Sequence, residues 1–309
     1  MTPDPASQGS GGGPRTFNPL SKDPAEIGRM WYVPPRSSYR PGWPLYSEEL
    51  VLQALQGCYG RPERVRRTGG WRTLAALIRG CMGAAQAVLM LLSAIPLVHL
   101  GVYLTARELP RNLVGYFLRG CYWKARLRSM GVDCIIDQGV DILRPERVAL
   151  GSHCHLDKNC VLGVGDKHGH ITLGDHVHVG PWCLIAGRGG VEIGHLTSLV
   201  GHVSVYAASN LPYHPERLGE LISMSHTAPS DQQYSVEERV TVGDYAVIGL
   251  GCVLLPGATL GKGVVVHAYS EVSGAFPDFA ILSGHGRAKQ IGWRRPAKMD
   301  PRLTAGSKD

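Results

Sequence analysis

Residues 240–263 read Val240-Thr-Val-Gly-Asp-Tyr-Ala-Val-Ile-Gly-Leu-Gly-Cys-Val-Leu-Leu-Pro-Gly-Ala-Thr-Leu-Gly-Lys-Gly263, with an aliphatic residue at every sixth position from Val242. The period continues downstream through Val266 and Val272. Upstream it runs in triplets: Leu150, Leu156, Leu162; Leu173, Val179, Ile185; Ile193, Leu199, Val205. The next residue is often glycine, as at Gly151, Gly174, Gly194, Gly243 and Gly261. Four places after each aliphatic comes a small or slim side chain, such as Cys154, Cys160, Val177, Cys183, Thr197, Ala246 or Cys252. A period of six fits neither the 3.6 of a helix nor the two of a half-buried strand. It fits a prism of short parallel strands, in which each hexapeptide forms one side and three hexapeptides form one coil. The aliphatic side chain then points to the axis, the small one fills a corner, and glycine relieves the backbone at the bend. Coils stacked about 4.8 Å apart pair their backbone groups with the coils above and below.

Composition agrees with a narrow, repetitive core. Only 4 of 309 residues are Phe, while 40 are Gly, and 18% charged residues against 44% hydrophobic ones exclude a wholly disordered chain. The net charge of +7 permits an anionic partner, but no basic stripe interleaved with aromatics and no zinc-finger spacing supports nucleic acid. The 8 cysteines include no CxxC pair, and four of them occupy the small-residue phase. They read as reduced core packers, which argues for a cytoplasmic protein or the cytoplasmic face of a membrane. Residues 1–30 lack the apolar region of a cleavable signal peptide.

The chain before the repeat divides further. Residues 1–46, rich in Pro, Gly and Ser, read as a disordered arm. Residues 47–79 read as a short helical and basic linker, with a helix over 47–56 and arginines at 61, 64, 66, 67 and 72. No charged residue occurs from Gly80 to Ala106, a run broken by Pro96 and flanked by Arg79, Arg107 and Arg111. Two readings stay open for it: a membrane-embedded or re-entrant hairpin, or a helix buried at an oligomer interface. Residues 111–130 form a basic amphipathic helix that either lies on an anionic membrane or packs on the end of the next domain. The repeat domain is drawn over 131–275, with 276–309 as a cap and tail.

Residues 136–275 resemble the left-handed parallel β-helix of the hexapeptide-repeat acyltransferases, which include bacterial galactoside, maltose and polysaccharide O-acetyltransferases. The stretch 240–263 is similar to that family's Ile-Gly-x-x-x-Trp-Ile-Gly followed by Pro-Gly-Val-Thr-Ile-Gly, with Val247 in place of the Trp. The tail from Leu282 to Trp293 is similar to its terminal Gly-x-Pro-Ala-x-x-Ile, with Gly286 in place of the Pro. The resemblance implies a homotrimer that transfers an acyl group, most simply acetyl from acetyl-CoA, to a sugar, glycan or lipid-linked saccharide, without a metal. No nucleophile elbow or phosphate-cradling loop competes with direct transfer.

The period fails over 206–241, and long excursions from a rigid scaffold tend to carry function. In the family such an excursion walls a cleft between subunits and supplies a histidine as general base, a role a neutral imidazole suits near neutral pH. The segment Ile222-Ser-Met-Ser-His-Thr-Ala-Pro229 resembles the strand that ends in that histidine, which favours His226. Counting from Val205 instead reaches Asn210, which cannot act as a base, with His214 close behind. The resemblance also implies that pantetheine runs along the coils near Gly249 and Ala268, with CoA phosphates meeting Lys262, Arg287, Lys289 and Arg294.

Histidines 153, 155, 176 and 178 share a phase in two adjacent coils and are expected to point outward from one face. Stacked histidines of this kind bring zinc to mind, and the γ-class carbonic anhydrases share the β-helix. Their two histidines five residues apart have no counterpart in a matching place, and neither has their long C-terminal helix. The remaining alternative is a non-catalytic β-helix scaffold, which Asn210 at the counted position would suit.

Overall fold

A computed structural model describes residues 45–58, 61–92, 95–165 and 169–294. Three sheets of seven, eight and seven strands, parallel except for the last strand of the eight, form the walls of a three-sided β-helix. Its coils span residues 129–143, 148–163, 171–186, 191–206, 240–254, 259–272 and 275–287, numbered here 1 to 7. Strand pairing puts like on like: Leu150 opposes Leu173, Leu156 opposes Val179, and Leu162 opposes Ile185. Every aliphatic residue from Leu150 to Val272 in the six-residue series is at most 3% exposed. The small-phase cysteines at 154, 160, 183 and 252 are buried thiols, joined by Cys134 in coil 1.

The corners differ from the sequence expectation. Glycines that follow the aliphatic residue do not supply the bend; they allow coils to approach. A Cβ on Gly151 would lie 2.5 Å from the Gly174 carbonyl carbon, and one on Gly249 would lie 2.6 Å from Ala268 N. The turn itself falls two residues later, in the left-handed region, and non-glycine residues carry most of it: His153 (φ 58), Asn159 (φ 60), His176 (φ 57), Trp182 (φ 62) and Tyr245 (φ 58). That region is costly for L-residues. Here the backbone pairing of adjacent coils compensates, as when His176 N donates to Ser152 O at 2.8 Å.

Coil 7 carries the solenoid past the boundary drawn at 275, because Phe276 and Leu282 continue the inward series, and Gly286–Arg287 pairs with Ser270–Glu271. Lys289–Trp293 then returns antiparallel to Ala280–Ser283 and ends the sheet.

Among the described residues, four α-helices precede the coils: α1 (Glu48–Leu55), α2 (Gly69–Leu92), α3 (Pro96–Glu108) and α4 (Leu113–Arg126). Ser47 and Asn112 cap α1 and α4 by accepting from Leu50 N and Gly115 N. The division at 79/80 falls inside α2, since a change from basic to uncharged sequence does not interrupt a helix. Residues 1–44 of the expected arm, and the tail beyond Arg294, lie outside the described residues. Leu45 and Tyr46 are buried, Leu45 N donating to Gln86 Oε1 at 2.9 Å and the Tyr46 hydroxyl to Tyr116 O at 2.8 Å. The ordered part therefore begins before residue 47.

Of the two readings of 111–130, the structure selects packing. Phe117, Cys121, Tyr122 and Trp123 of α4 are buried and close the core above coil 1. Arg119, 1% exposed, bolts α4 in place: Nε donates to Ile136 O at 2.8 Å, and Nη1 donates to Ala106 O at 3.1 Å and Leu109 O at 2.6 Å. A buried guanidinium is tolerable only with such partners.

Candidate functional site

The excursion leaves the solenoid without disturbing it. Val191 of coil 4 pairs directly with Val240 of coil 5, and Ser204 with Val253, so the intervening residues are extruded from a continuous stack. Its stalk is an antiparallel pair, Ala208–Asn210 against Ser235–Glu237. The base crosses coil 3 so closely that a Cβ on Gly189 would lie 2.2 Å from Ala207 O. Two ion pairs hold it there, Arg188 to Glu237 at 2.6 Å and Arg239 to Glu192 at 2.9 Å.

Folded this way, the excursion encloses a cleft of about 550 Å³ against the edge of coils 1 to 4. Leu143, Gly163, Val164 and Ala186 make its apolar floor, while Ser209, Asn210, Met224 and His226 make the opposite wall, with Arg188 and Tyr206 also lining it. Two of the expected catalytic residues therefore meet in one cleft. Asn210 Nδ2 donates to Met224 O at 2.9 Å, tying the stalk to the segment that carries His226 two residues on, in a turn. The expectation for Asn210 thus becomes a positioning contact. His226 is exposed, and its ring has no hydrogen-bond partner among the described residues. His214 does not line the cleft: its ring lies 4.7 Å from Tyr234, and its Nδ1 accepts from Glu216 N at 3.1 Å.

None of the six residues expected at CoA lines this cleft. The Gly249 backbone pairs within the solenoid, its N–H donating to Val266 O at 2.9 Å and its carbonyl accepting from Cys252 N at 3.3 Å. Ala268 beside it is exposed. Lys262 lies over the Tyr245 ring at 5.4 Å, on a different corner from Ala268. Arg287 and Lys289 are exposed on the last coil and the return strand. Arg294 is engaged with backbone, donating to Tyr245 O at 2.8 Å.

The four histidines form two pairs instead of one row, because positions 153 and 176 are corners while 155 and 178 are strand residues. The His153 and His176 rings stack at 4.5 Å, and those of His155 and His178 lie 5.3 Å apart. Next to the second pair, Asp137, His155 and Asp157 bring three ligating atoms within 4.8 Å. The cation among these carboxylates is already present: Arg111 lies 2.7 Å from Asp137 and 3.3 Å from Asp157. Burial pushes the His155 pKa down to about 4, so this imidazole stays neutral. Burial pushes the Asp157 carboxyl up, but His155, His178 (3.2 Å away) and Arg111 outweigh it and hold the pKa below the ordinary value. Sequence reading missed this cluster, although Asp137 and Asp157 share a phase, one place after Ile136 and Leu156. Equal phase means stacking, and two stacked carboxylates must be relieved by a cation or a retained proton.

No family model matches the chain. The dTDP-4-amino-4,6-dideoxy-D-glucose acyltransferase of Escherichia coli is 25% identical over 157 residues, 51% of this chain and 78% of that protein. WbbJ of Escherichia coli, assigned to lipopolysaccharide biosynthesis as an O-acetyl transferase, is 28% identical over 133 residues, 41% of this chain and 65% of its own length. Among solved structures, AntD, an N-acyltransferase from Bacillus cereus in complex with dTDP and 3-hydroxybutyryl-CoA, shares the fold. Its TM-score is 0.50 at 22% identity, over 59% of this chain and 91% of AntD. The six-residue series and the three-walled coils are those of a hexapeptide-repeat β-helix, and the chain is similar to acyltransferases of that kind. These relatives include an acyltransferase of a dTDP-4-amino sugar and an O-acetyl transferase of lipopolysaccharide biosynthesis.

Proposed function

We propose that this protein transfers an acyl group from acyl-CoA, most simply acetyl-CoA, to a hydroxyl or amino group of a sugar bound in the excursion cleft. The observation that carries the reading is the placement of His226 and Asn210 on one wall of a cleft built on a rigid, uninterrupted solenoid. His226 takes the proton from the acceptor as its oxygen or nitrogen attacks the thioester carbonyl. The carbon–sulfur bond then breaks, and the proton passes to the departing thiolate. Both kinds of acceptor find support in relatives, one named for a 4-amino sugar nucleotide and one for O-acetyl transfer.

The CoA residues expected on coils 5 to 7 come to the cleft of a neighbouring copy in a homotrimer. Apolar side chains on the excursion support that arrangement, since Tyr213, Leu218 and Leu221 are 57%, 87% and 99% exposed in the single chain. In the trimer, CoA passes Ala268 and its phosphates meet Arg287, Lys289 and Lys262. The buried, unpaired thiols suit a cytosol-facing enzyme.

The test is acceptor-dependent release of free thiol from acetyl-CoA, with dTDP-amino sugars and their hydroxyl counterparts as two arms of one panel. Release with one arm assigns N- or O-transfer. No release with either arm, from protein of mass three times 33.4 kDa, favours the scaffold reading.

A further inference from the structure

We infer that α2 and α3 form a monotopic anchor that inserts into one leaflet of an anionic phospholipid bilayer. The proposal stands on the helices alone and is independent of the transfer chemistry. Both helices, and Ile95 before α3, present apolar side chains to solvent: Leu77 (66%), Val88 (56%), Leu91 (73%), Ile95 (49%), Leu100 (54%) and Leu104 (53%) are all well exposed. Only 11% of the most apolar stretch of α2 is buried. Gln86, His99 and Tyr103 point the other way. Gln86 is buried and accepts from Leu45 N, His99 contacts the Tyr122 hydroxyl at 3.1 Å, and the Tyr103 hydroxyl donates to Asp141 at 3.0 Å.

Two alternatives for covering this face are a partner helix and lipid, and the width of the face decides between them. A helix–helix seam in water is narrow and flanked by charged residues that set register. Here the exposed positions beside Leu77 and Val88 are Ala76, Gly80, Ala84 and Ala85, and no charged residue occurs from Gly80 to Ala106. A face that is uncharged across its whole breadth matches a hydrocarbon solvent.

Leg length and charge then set the depth. The uncharged part of α2 covers residues 80–92, and that of α3 covers 96–106. At about 1.5 Å per residue these legs reach about 16–20 Å, roughly half of a hydrocarbon core about 30 Å thick. Neither leg crosses the bilayer, and both return to basic mouths, with Arg72 and Arg79 on α2 and Arg107 after the uncharged run. Arginines on both flanks belong on one side of the membrane, at the level of anionic headgroups.

The experiment uses the full chain and vesicles of phosphatidylcholine alone or with phosphatidylglycerol added as the anionic lipid. Cys81 is the exposed member of the 8 cysteines, so an environment-sensitive fluorophore attached there reads insertion directly. The wild type is expected to float with the anionic vesicles and its label to shift to the blue. A Leu91→Asp/Leu100→Asp variant, altered only at exposed positions, is expected to lose both while its melting temperature is unchanged. Failure of the wild type to float overturns the proposal, as does flotation unchanged in the variant. If the variant instead lowers the oligomeric state in the absence of lipid, the face covers another protein chain, and the proposal is likewise overturned.

Discussion

The solenoid wall and the excursion between coils 4 and 5 are built on opposite rules. In the wall, each inward side chain is enclosed by the coils above and below, and Leu156, Val179, Leu199 and Ile248 are all 0% exposed. In the excursion, structure is held by polar ties, Asn210 to Met224 O and Arg217 to Asp231 O at 2.8 Å, while Leu221 lies 99% exposed. The difference separates stability from chemistry: the wall carries the folding free energy, and the excursion spends little of it while bringing His226 over an apolar floor.

The sharpest way to break that division is Leu156→Ala. It removes buried methyl groups from the axis, where stacked coils cannot collapse into the space. A loss of about 2–5 kcal/mol in urea-induced unfolding is expected. A loss below about 1 kcal/mol would mean that the axis is not close-packed.

Next in size is a pH effect confined to the wall. His155 has a folded pKa of about 4 against an ordinary 6.5, so the unfolded chain takes up a proton first. Stability is therefore expected to fall between about pH 6.5 and pH 4, by up to about 3 kcal/mol from this group alone. Asp157 acts lower: its pKa is below 3.8, so its contribution is present above that value and is lost only as pH falls through the folded pKa. Melting curves of His155→Gln should show a flatter slope above pH 4. An unchanged slope would assign the effect elsewhere.

Asn210→Ala sharpens the comparison from the other side. The lost bond to Met224 O is exposed, so the melting temperature should move little. The wall that carries His226 loses its tie, and kcat/KM is expected to fall roughly 10- to 100-fold through misplacement of the base. Smallest of all should be Leu221→Ser, with stability changed by less than about 0.5 kcal/mol in the isolated subunit, the usual range for an exposed site. If trimers dissociate in that variant, the side chain is part of the subunit contact.

Much of the wall was legible in the sequence because a coil repeats one requirement, an aliphatic side chain pointing to the axis at every sixth residue. The corners were misread because steric close approach and positive φ are different demands. Glycine meets the first at positions such as Gly151, while His153 and Trp182 are left to adopt the second. The end of the solenoid was placed too early because Phe276 is aromatic where the series had been aliphatic, although it faces the same core. The cleft was legible only in part. Its location followed from the broken period and its histidine from a local resemblance. Its floor at Leu143 and Ala186 depends on the direction in which the excursion folds back, which periodicity does not encode. The split of the four histidines into two pairs follows from one fact hidden in the sequence, that residues two apart in a coil sit on a corner and on a strand.

The account rests most heavily on the identity of the imidazole in the cleft. Thiol release from acetyl-CoA, measured in parallel for His226→Ala and His214→Ala with an acceptor that supports turnover, addresses it directly. The expected result is a fall of about 10²- to 10⁴-fold for His226→Ala and nearly full activity for His214→Ala. Full activity in His226→Ala, with the loss in His214→Ala, would move the chemistry out of the cleft and contradict the account.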